Sequence, residues 1–430
     1  MKISMKSADI ILSSYLNNEN RSAYSSYSTD TVKELLARLG NPQNDFPSIH
    51  IAGTNGKGST AYYTARIFTQ AGYTTGLFVS PHLFTICERI QINGELISEK
   101  EFARCAGAAE AAADKMNTRP TFFDMVTAAC FLCFSERGVD MAVIETGLGG
   151  RLDSTNSLNP LCSIITSVSL DHTMILGGTP GAIAAEKAGI IKPGVPLVTA
   201  NTSSEVLGVL QKECAEKSAP FYGFGSEFRA ENIRKDTGYI YDLDISNKYR
   251  LNDIRVNTPV YEQIENTACA LTAVMLLRES YGRISAKQAA ESISTFTPPG
   301  RFQLLCEKPL MIYDPAHNPS AVSSLMRAVT GRYGGKDITA VVTFMEDKDY
   351  STMISEIKKT CGDIAYYYLD MPRAYKPKSF IGSTISSQDE LVQYLEKKIS
   401  ADSLFLFTGS FRLFPAAKYA AGKLTEKKRI

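Results

Sequence analysis

Residues 49–60 read IHIAGTNGKGST, and this stretch decides which fold the chain adopts. The apolar run around His50 predicts a buried strand, and the glycines after it predict a tight loop. The loop runs into AYYTARIFTQAG, which predicts a helix that begins beside the glycines. Backbone N–H groups at such a junction favour an anion, and glycine lets the backbone approach phosphate oxygens closely. The stretch therefore favours a nucleotide-binding loop over a plain glycine turn.

The spacing of this loop differs from that of the common phosphate-binding motif. That motif has a glycine five positions before its Gly-Lys pair and a Ser or Thr directly after the pair. Here Ile51 holds the first of these positions, and Gly58 separates Lys57 from Ser59. The spacing alone leaves three interpretations open: a degenerate phosphate loop, a chance cluster of glycines, or a phosphate loop of another kind.

The composition of the chain excludes several classes of protein. Its 430 residues are 44% hydrophobic, enough for two or three domains with buried cores. Lys and Arg number 46 against 45 Asp and Glu, which argues against a nucleic-acid-binding protein. No stretch has the pattern of a signal peptide or a membrane span. The 9 cysteines are scattered, which suits a reducing cytoplasm, and the Cys130–Cys133 pair has the apolar neighbours of core residues.

Short apolar runs alternate with amphipathic stretches along nearly the whole chain, which predicts an α/β fold with a largely parallel sheet. From about 226 to 256 the pattern changes, because Tyr241, Leu243 and Ile245 alternate with acidic residues. This segment predicts antiparallel strands at one side of the first domain. The predicted strands are 49–52, 75–79, 141–145, 162–167, 196–199, 310–313, 339–343 and 404–407, and the predicted helices are 31–39, 99–115, 123–137, 206–217, 262–279, 320–332 and 390–399.

The sequence Thr297-Pro298-Pro299-Gly300 marks a boundary between two domains. Two prolines and a glycine do not continue the preceding helix, and a fresh alternation of strands and helices follows them. About 130 residues remain after it, which is the size of one domain. We therefore predict a first domain at 1–296, a linker at 297–301 and a second domain at 302–430.

Two further positions in the first domain carry residues that suit chemistry. Glu145 ends a predicted strand, where ligands of open α/β sheets gather, and suits a Mg²⁺ ligand and a solvated loop position equally well. The glycines after it do not complete a dinucleotide fingerprint, because Leu152 stands where the third glycine belongs. Lys187 lies among small residues of a predicted helix. A solvated lysine is favoured there, and a buried amine with a shifted pKa is the alternative.

The placement of the histidines is also informative. The chain has only 4, and three of them, His82, His172 and His317, follow strand-like runs beside turn residues. This placement favours roles as ligands or nucleotide contacts, whereas His50 lies inside a strand and is assigned to packing.

In the second domain, Arg301 lies just past the linker, and Asp314 and His317 follow an apolar run. An acid at such a position commonly binds a ribose hydroxyl, and a His can stack on a base. A turn stabilised by Asp and Asn fits the same residues equally well.

Taken together, these motifs resemble the folylpolyglutamate synthase/dihydrofolate synthase family of the Mur-ligase superfamily. The resemblance extends from about residue 35 to about residue 415, with the matching segments in the same order. That order makes the match more specific than any single motif. The segments are LGNPQNDFPSIHIAGTNGKGST, FVSPHLFTICERIQINGELIS, TFFDMVTAACFLCF, ETGLGGRLDSTN, SLDHTMILGGTPGAIAAEKAGIIKPG, PPGRFQLL, DPAHNPSA and FTGSFRLF.

The resemblance implies a P-loop-containing central domain of the Mur-ligase type and a smaller Rossmann-like α/β domain, with ATP in the cleft between them. It also implies roles for individual residues, four of them catalytic: Lys57, Glu145, His172 and Lys187. By the same resemblance, the ATP phosphates would be held by Asn55, Gly56, Lys57 and Gly58, and the rest of ATP by Asn266, Arg301, Asp314 and His317. Magnesium would be held by Ser80, Glu145 and His172, and Lys187 would be carbamylated. The pterin-bearing substrate would be held by Thr121, Phe122, Phe123, Asp124, Leu152, Asp153 and Ser154.

The reaction implied is the ATP-dependent addition of L-glutamate to a folate carboxylate through an acyl phosphate, and also the conversion of dihydropteroate to dihydrofolate. We expect ATP and Mg²⁺ as cofactors, small-molecule substrates, no nucleic-acid or membrane partner, and a monomeric, cytoplasmic enzyme. Two alternatives stay open. One is another Mur-type ligase that joins an amino acid to a cell-wall precursor, and the other is a non-catalytic P-loop module that only binds a nucleotide.

Overall fold

The computed structural model describes Tyr15, residues 28–377, Phe380 and residues 382–426. These residues form two compact units. The first comprises the described residues up to Arg234 together with Ile240–Val256 and Ile264–Phe296. The second comprises Lys235–Tyr239, Asn257–Gln263 and the described residues from Thr297 onwards. The predicted ranges 1–296 and 302–430 treat each domain as one continuous stretch. The structure differs from them because Lys235–Tyr239 and Asn257–Gln263 belong to the second unit.

The first unit is built on an 8-stranded sheet of order β4-β3-β2-β5-β1-β6-β7-β8. The strand that precedes the glycine loop, β1, lies inside this sheet and pairs in parallel with β5 and β6. Because parallel strands end at the same edge, the loops after these three strands share one edge of the sheet. The strands are β1 (Ser48–Ala52), β2 (Thr75–Phe78), β3 (Ile90–Ile92), β4 (Glu95–Leu96), β5 (Met141–Glu145), β6 (Cys162–Ile165), β7 (Leu197–Thr199) and β8 (Phe221–Gly223).

The helices of the first unit bury the sheet in two apolar cores. One core combines residues of β2 and β5 with the helices around Leu35, Phe102 and Phe131, and the other combines β6 and β7 with the helices around Ala184 and Leu210. The helices are α1 (Thr29–Arg38), α2 (Lys57–Gln70), α3 (Glu99–Ala113), α4 (Phe122–Arg137), α5 (Thr173–Leu176), α6 (Pro180–Ala188), α7 (Ser204–Glu216), α8 (Glu262–Leu276) and α9 (Ala286–Ser294).

A separate 3-stranded sheet of order β11-β10-β9 follows, formed by β9 (Phe228–Lys235), β10 (Tyr239–Ile245) and β11 (Tyr249–Val256). Neighbouring strands are joined by connections of a few residues, which only antiparallel strands allow. Tyr241, Leu243 and Ile245 of β10 are buried, as their alternation predicted. Cys130 and Cys133 lie in the first apolar core, which confirms their assignment to packing. Among the described helices, none has both the length and the apolar character that a membrane crossing requires.

The second unit contains a 6-stranded sheet of order β12-β13-β17-β14-β15-β16. Only β12 runs antiparallel to its neighbour, so the predicted Rossmann-like α/β architecture is confirmed. Its elements are β12 (Gln303–Glu307), β13 (Leu310–Tyr313), α10 (Pro319–Tyr333), β14 (Asp337–Val342), α11 (Tyr350–Lys358), β15 (Asp363–Tyr367), β16 (Ser383–Ile385), α12 (Gln388–Glu396), β17 (Ser403–Thr408) and α13 (Phe414–Glu426). The strands β15 and β16 were missed by the sequence analysis.

Candidate active site

The glycine loop after β1 forms a tight turn that ends at the N-terminus of α2, as predicted. Gly56 caps the helix with a φ of 88°, a conformation that favours glycine. A Cβ atom at Gly56 would lie 2.2 Å from the side-chain oxygen of Asn266. A Cβ atom at Gly53 would lie 1.8 Å from the hydroxyl of Thr166. Both glycines are therefore required by close packing, and Asn266, the predicted nucleotide contact on α8, does lie against the loop.

The end of β6 holds this loop in place. The carbonyl oxygen of Asn55 accepts hydrogen bonds from Thr166 Oγ1 at 2.7 Å and from Ser167 Oγ at 3.2 Å. Thr54 Oγ1 donates to the carbonyl of Ser169 at 3.1 Å. The sequence analysis did not identify these anchoring residues, because they lie more than a hundred positions from the loop. With its backbone anchored, the loop is shaped before a ligand arrives.

Two lysines converge on one carbonyl group of the loop. Lys57 Nζ donates to the carbonyl of Gly53 at 3.0 Å and to that of Thr54 at 3.2 Å. Lys187 Nζ donates to the same Gly53 carbonyl at 2.8 Å. Two amino groups are thus held at the point where the loop turns, and the ammonium group of Lys57 provides a positive charge for phosphate oxygens.

The environment of Lys187 corrects the preference for a solvated helix lysine. Its side chain is only 2% exposed, because α6 packs against the phosphate loop. Burial, and then the neighbouring charge of Lys57, lower the pKa of the Lys187 amine to about 7, although Asp171 and Asp153 oppose the shift. About half of the amine is therefore neutral at pH 7. A neutral amine is a nucleophile, whereas an ammonium group is not.

Ser80 and Glu145 lie next to each other at the edge of the sheet. Glu145 ends β5 with only 3% of its surface exposed, and its Oε2 atom accepts a hydrogen bond from the backbone N–H of Ser80 at 2.9 Å. His172 precedes α5 with a φ of 48°, and its backbone N–H donates to Asp171 Oδ1 at 2.8 Å. Two of the three residues predicted to hold magnesium are therefore neighbours, and the third, His172, is hydrogen-bonded to Asp171 through its backbone.

The donor set at this edge suits magnesium better than a transition metal. Among the described residues, no three His, Cys, Asp or Glu side chains gather in a way that could hold an ion. Mg²⁺ does not need such a cage, since it keeps several waters and binds one or two carboxylates together with substrate phosphates. The buried carboxylate of Glu145 beside Ser80, next to a phosphate loop, fits that requirement.

The two segments predicted to bind the pterin-bearing substrate are joined by hydrogen bonds. Thr121 caps α4, and its backbone N–H and hydroxyl both donate to Asp124 Oδ2, at 2.8 and 2.9 Å. The other oxygen of Asp124 accepts a hydrogen bond from Ser154 Oγ at 2.6 Å. We call residues 152–155, which include the predicted substrate contacts 152–154, the substrate loop. Residues 121–124 therefore contact the substrate loop through this hydrogen bond, although the two segments lie about thirty residues apart in the sequence.

Removal of the Ser154 hydroxyl tests whether this link matters. In Ser154→Ala, the buried carboxylate of Asp124 loses one donor, and we expect the KM for the pterin-bearing substrate to rise about tenfold while the KM for ATP changes less than twofold. Steady-state kinetics with each substrate varied in turn measures both constants. Ser157→Ala is the matched control, because Ser157 Oγ donates only to the carbonyl of Ser154 at 3.1 Å. Equal rises in both KM values would contradict the prediction.

The Gly147–Gly150 stretch serves close packing. A Cβ atom at Gly147 would lie 2.6 Å from the ring of Phe123, and one at Gly150 would lie 2.8 Å from the carbonyl oxygen of Lys187. This stretch therefore brings α4 and α6 close to the end of β5. Leu152, the remaining predicted substrate contact, is half-buried, and Phe122 is buried beneath the guanidinium of Arg89, which lies 5.4 Å from the ring centroid.

Of the three predicted nucleotide contacts of the second unit, Arg301 precedes β12, whereas Asp314 and His317 follow β13. Asp314 is half-buried, and its two oxygens accept the backbone N–H groups of Phe302 at 2.9 Å and Ala316 at 3.0 Å. Burial raises the pKa of Asp314, and Arg301 opposes the shift. The guanidinium of Arg301 lies 5.0 Å from the ring centroid of Phe411, and the His317 ring lies 5.7 Å from it. Phe411, which brings Arg301 and His317 together, was quoted only as part of FTGSFRLF and was not identified as a site residue.

Comparison with known proteins shows which family this chain is similar to. The family model of the Mur ligase middle domain matches residues 51–274, and that of the Mur ligase glutamate ligase domain matches residues 300–411. The chain is 36% identical over 395 residues to the dihydrofolate synthase/folylpolyglutamate synthase of Bacillus subtilis (strain 168), which covers 88% of this chain and 91% of that protein.

Two solved structures are similar over nearly the whole chain. One is E. coli FolC in complex with DHPP and ADP, with a TM-score of 0.86, 27% sequence identity and 99% of each chain covered. The other is Mycobacterium tuberculosis folylpolyglutamate synthase complexed with ADP and AMPPCP, with a TM-score of 0.82, 26% identity, and 96% of this chain and 98% of that chain covered.

Proposed function

The chain belongs to the folylpolyglutamate synthase/dihydrofolate synthase family of Mur ligases, and from this premise we propose that it is an ATP-dependent ligase that adds L-glutamate to the carboxylate of a folate or of dihydropteroate. The observation that carries the proposal is the convergence of Lys57 and Lys187 on the Gly53 carbonyl. Both side chains are thereby fixed at the start of α2, where the helix N-terminus and the ammonium group of Lys57 favour a nucleotide phosphate.

The chemistry requires activation of the acceptor carboxylate. A carboxylate and an amine do not condense at neutral pH, because the carboxylate offers no leaving group. The carboxylate attacks the γ-phosphate of ATP, and ADP departs with the electron pair of the broken P–O bond. The glutamate amine then attacks the acyl carbon of the acyl phosphate, and inorganic phosphate leaves. Catalysis of both steps consists mainly of positioning and charge neutralisation.

The residues of the first unit supply these functions. Asn55, Gly56 and Gly58 present backbone groups to the ATP phosphates, and Lys57 offsets the charge of the β- and γ-phosphates. Residues 121–124 and the substrate loop hold the pterin-bearing substrate, and the hydrogen bond from Ser154 to Asp124 fixes their relative position. Asn266, beside Gly56, contributes to the nucleotide site from α8.

In the second unit, the half-buried carboxylate of Asp314 suits a ribose hydroxyl, and His317 suits the adenine. Arg301 adds a positive charge beside Phe411. Phe411 contacts both Arg301 and His317, so it keeps the two side chains in place for the nucleotide.

Ser80, Glu145 and His172 would hold magnesium, which when bound would neutralise phosphate charge and orient the γ-phosphate for attack. Ser80 takes the role that the Ser or Thr after the Gly-Lys pair has in common phosphate loops. The structure supports this exchange, because Ser59 is only 1% exposed whereas Ser80 is half-buried beside Glu145.

Two serine variants test that exchange. Ser80→Ala removes a hydroxyl that a hydrated cation can reach, and we expect it to lower kcat about a hundredfold and to raise the Mg²⁺ concentration needed for half-maximal rate. Ser59→Ala removes a hydroxyl buried in α2, and it should change both quantities less than threefold. Initial rates over a magnesium titration measure both effects. A larger defect in Ser59→Ala than in Ser80→Ala would contradict this assignment.

Lys187 fits a carbamylated lysine. Carbon dioxide adds to a neutral amine with loss of one proton, and the pKa of about 7 leaves much of the Lys187 amine neutral at physiological pH. The resulting carbamate is an anion with two oxygens, which relieves the burial of a cation next to Lys57 and supplies a carboxylate-like group beside the phosphate loop. The neutral amine and the buried setting together support this modification.

The alternatives predict different products. A ligase for a cell-wall precursor has little support, because the curated relative that covers 88% of the chain is named as a folate enzyme. Incubation with ATP, glutamate and either dihydropteroate or a tetrahydrofolate, followed by mass spectrometry, identifies the acceptor directly. Phosphate release that depends on both folate and glutamate excludes a module that only binds the nucleotide, whereas its absence would overturn the proposed function.

A further inference from the structure

A chain of buried hydrogen bonds joins strand β1 to the substrate loop. His50 is fully buried in β1, and its Nε2 atom lies 2.7 Å from Thr155 Oγ1. Thr155 Oγ1 lies 2.5 Å from Asp153 Oδ1, and the backbone N–H of Thr155 donates to the same oxygen at 3.0 Å. The other carboxylate oxygen of Asp153 accepts the backbone N–H of Leu148 at 2.8 Å. His50 was assigned to packing from the sequence. The burial of His50 is confirmed, whereas its hydrogen bond to Thr155 was not predicted.

The direction of the protons along this chain follows from the number of donors. An ionised carboxylate only accepts hydrogen bonds, so the Thr155 hydroxyl donates its single proton to Asp153, which also accepts two backbone N–H groups. Thr155 Oγ1 must then accept from His50, which places the imidazole proton on Nε2. Burial lowers the pKa of His50 to about 3, so the ring is neutral and carries only this one N–H. In agreement, His50 Nδ1 has no hydrogen-bond partner among the described residues.

The strand that carries His50 also carries the phosphate loop. β1 ends at Ala52, and Gly53, to which Lys57 and Lys187 donate, follows directly. We propose that His50 is a positioning residue which, through Thr155, fixes Asp153 and the substrate loop relative to the phosphate loop. This inference rests on the proposed function of the substrate loop.

The chemistry explains why such a link is needed. The acceptor carboxylate must reach the γ-phosphate at roughly 3–3.5 Å for the first step, and a shift of about 1 Å can cost about a hundredfold in rate. The two loops follow different strands, β1 and β5, so β-sheet pairing alone does not fix one loop relative to the other. The chain from His50 to Asp153 adds a direct link between them, without any contact between His50 and a substrate.

Paired variants at each end of the link test the proposal. Thr155→Val keeps the shape of the side chain and removes the hydroxyl, and His50→Leu removes the N–H donor. For each we expect about a tenfold loss in kcat/KM for dihydropteroate, with the KM for ATP within twofold of wild type. The double variant should lose no more than about twofold beyond either single variant, because both break the same link. His50→Gln, which places an amide N–H near the position of Nε2, should recover most of the loss.

A control separates positioning from general destabilisation. Ser163 pairs with His50 in the sheet, is fully buried, and donates to the carbonyl of Ile190 at 3.0 Å, which is not a residue of the substrate loop. Ser163→Ala should lower the melting temperature to a similar degree as Thr155→Val and leave kcat/KM for dihydropteroate unchanged.

Amide hydrogen exchange gives a readout that does not depend on activity. In Thr155→Val and His50→Leu, the amides of Leu148 and Thr155 should exchange at least about tenfold faster than in wild type, because Asp153 is no longer held. Unchanged exchange at these amides, multiplicative losses in the double variant, or no rescue by His50→Gln would each overturn the inference. A wild-type enzyme that ligates neither acceptor would overturn the proposed function instead, and the exchange result would still decide whether His50 holds the loop.

Discussion

Replacement of Lys57 by alanine is expected to lower the rate of ligation by at least about 10³-fold. The ammonium group of Lys57 is fixed by the carbonyls of Gly53 and Thr54 at the start of α2, where the β- and γ-phosphates would bind. Removal of one preorganised charge or donor from a phosphoryl-transfer or oxyanion site typically costs about 10²–10⁵-fold. Single-turnover measurements at saturating ATP distinguish loss of the chemical step from loss of nucleotide binding.

The matched control for Lys57→Ala is Lys100→Ala. Lys100 lies exposed in the first turn of α3, so its removal changes the net charge equally without touching the loop. The Lys100→Ala variant should therefore ligate at the wild-type rate. Near-wild-type turnover in Lys57→Ala would contradict the assignment of residues 53–58 as the phosphate loop.

Replacement of Lys187 by methionine is expected to abolish ligation and, at the same time, to stabilise the folded protein near pH 7. Methionine has a similar length and no charge to bury. Burial lowers the pKa of Lys187 from 10.5 to about 7, and each pKa unit corresponds to about 1.4 kcal/mol, so the buried amine costs about 5 kcal/mol at neutral pH. Loss of the hydrogen bond to Gly53 offsets about 1–2 kcal/mol of this gain. We therefore expect a net gain of about 3 kcal/mol in the free energy of unfolding.

The pH dependence of this stability change follows from the difference in the pKa of Lys187 between the folded and the unfolded state. The unfolded chain binds the Lys187 proton below pH 10.5, whereas the folded protein binds it only below about pH 7. Wild-type stability therefore falls as the pH drops from 10.5 towards 7, and the stability of Lys187→Met lacks this contribution. Denaturant unfolding in CO₂-free buffer should show the variant ahead of wild type at pH 7 and the gap closing towards pH 10.5. A variant less stable than wild type at pH 7 would contradict the account of Lys187 as a buried, strained amine.

Carbamylation of Lys187 predicts that wild type and Lys187→Met also differ in how their activity responds to bicarbonate. Removal of bicarbonate should lower wild-type activity severalfold, and its return should restore the activity. Lys187→Met should have no activity to restore under either condition. Wild-type activity that does not respond to bicarbonate would contradict carbamylation while leaving the buried amine intact.

The sequence predicted the features that depend on local pattern. The apolar run that forms β1, the glycine loop and the start of α2 were all predicted, because strand periodicity and glycine placement are local signals. Glu145 at the end of β5 was predicted for the same reason, since strand ends share one edge of a parallel sheet.

Contacts between distant segments could not be predicted in this way. The bond from Ser154 to Asp124 and the link from His50 to Thr155 join residues 30 and 105 positions apart, and neither segment carries a pattern that indicates its partner. Lys187 shows the same limit, because its small neighbours suit an exposed helix as well as a buried one. Only the packing of α6 against the phosphate loop decides that the amine is buried and titrates near neutrality.

The most direct test of the central claim follows the carboxylate oxygen. Wild-type enzyme is incubated with ATP, Mg²⁺, L-glutamate and dihydropteroate labelled with ¹⁸O in its carboxylate, and the products are analysed by mass spectrometry. The account predicts a product that carries one added glutamyl residue and inorganic phosphate that carries one ¹⁸O atom, because the labelled oxygen passes from the carboxylate to phosphate through the acyl phosphate. Glutamylated product with unlabelled phosphate would contradict the acyl phosphate, and the absence of a glutamylated product from dihydropteroate and, in a parallel incubation, from a tetrahydrofolate would contradict the proposed ligase.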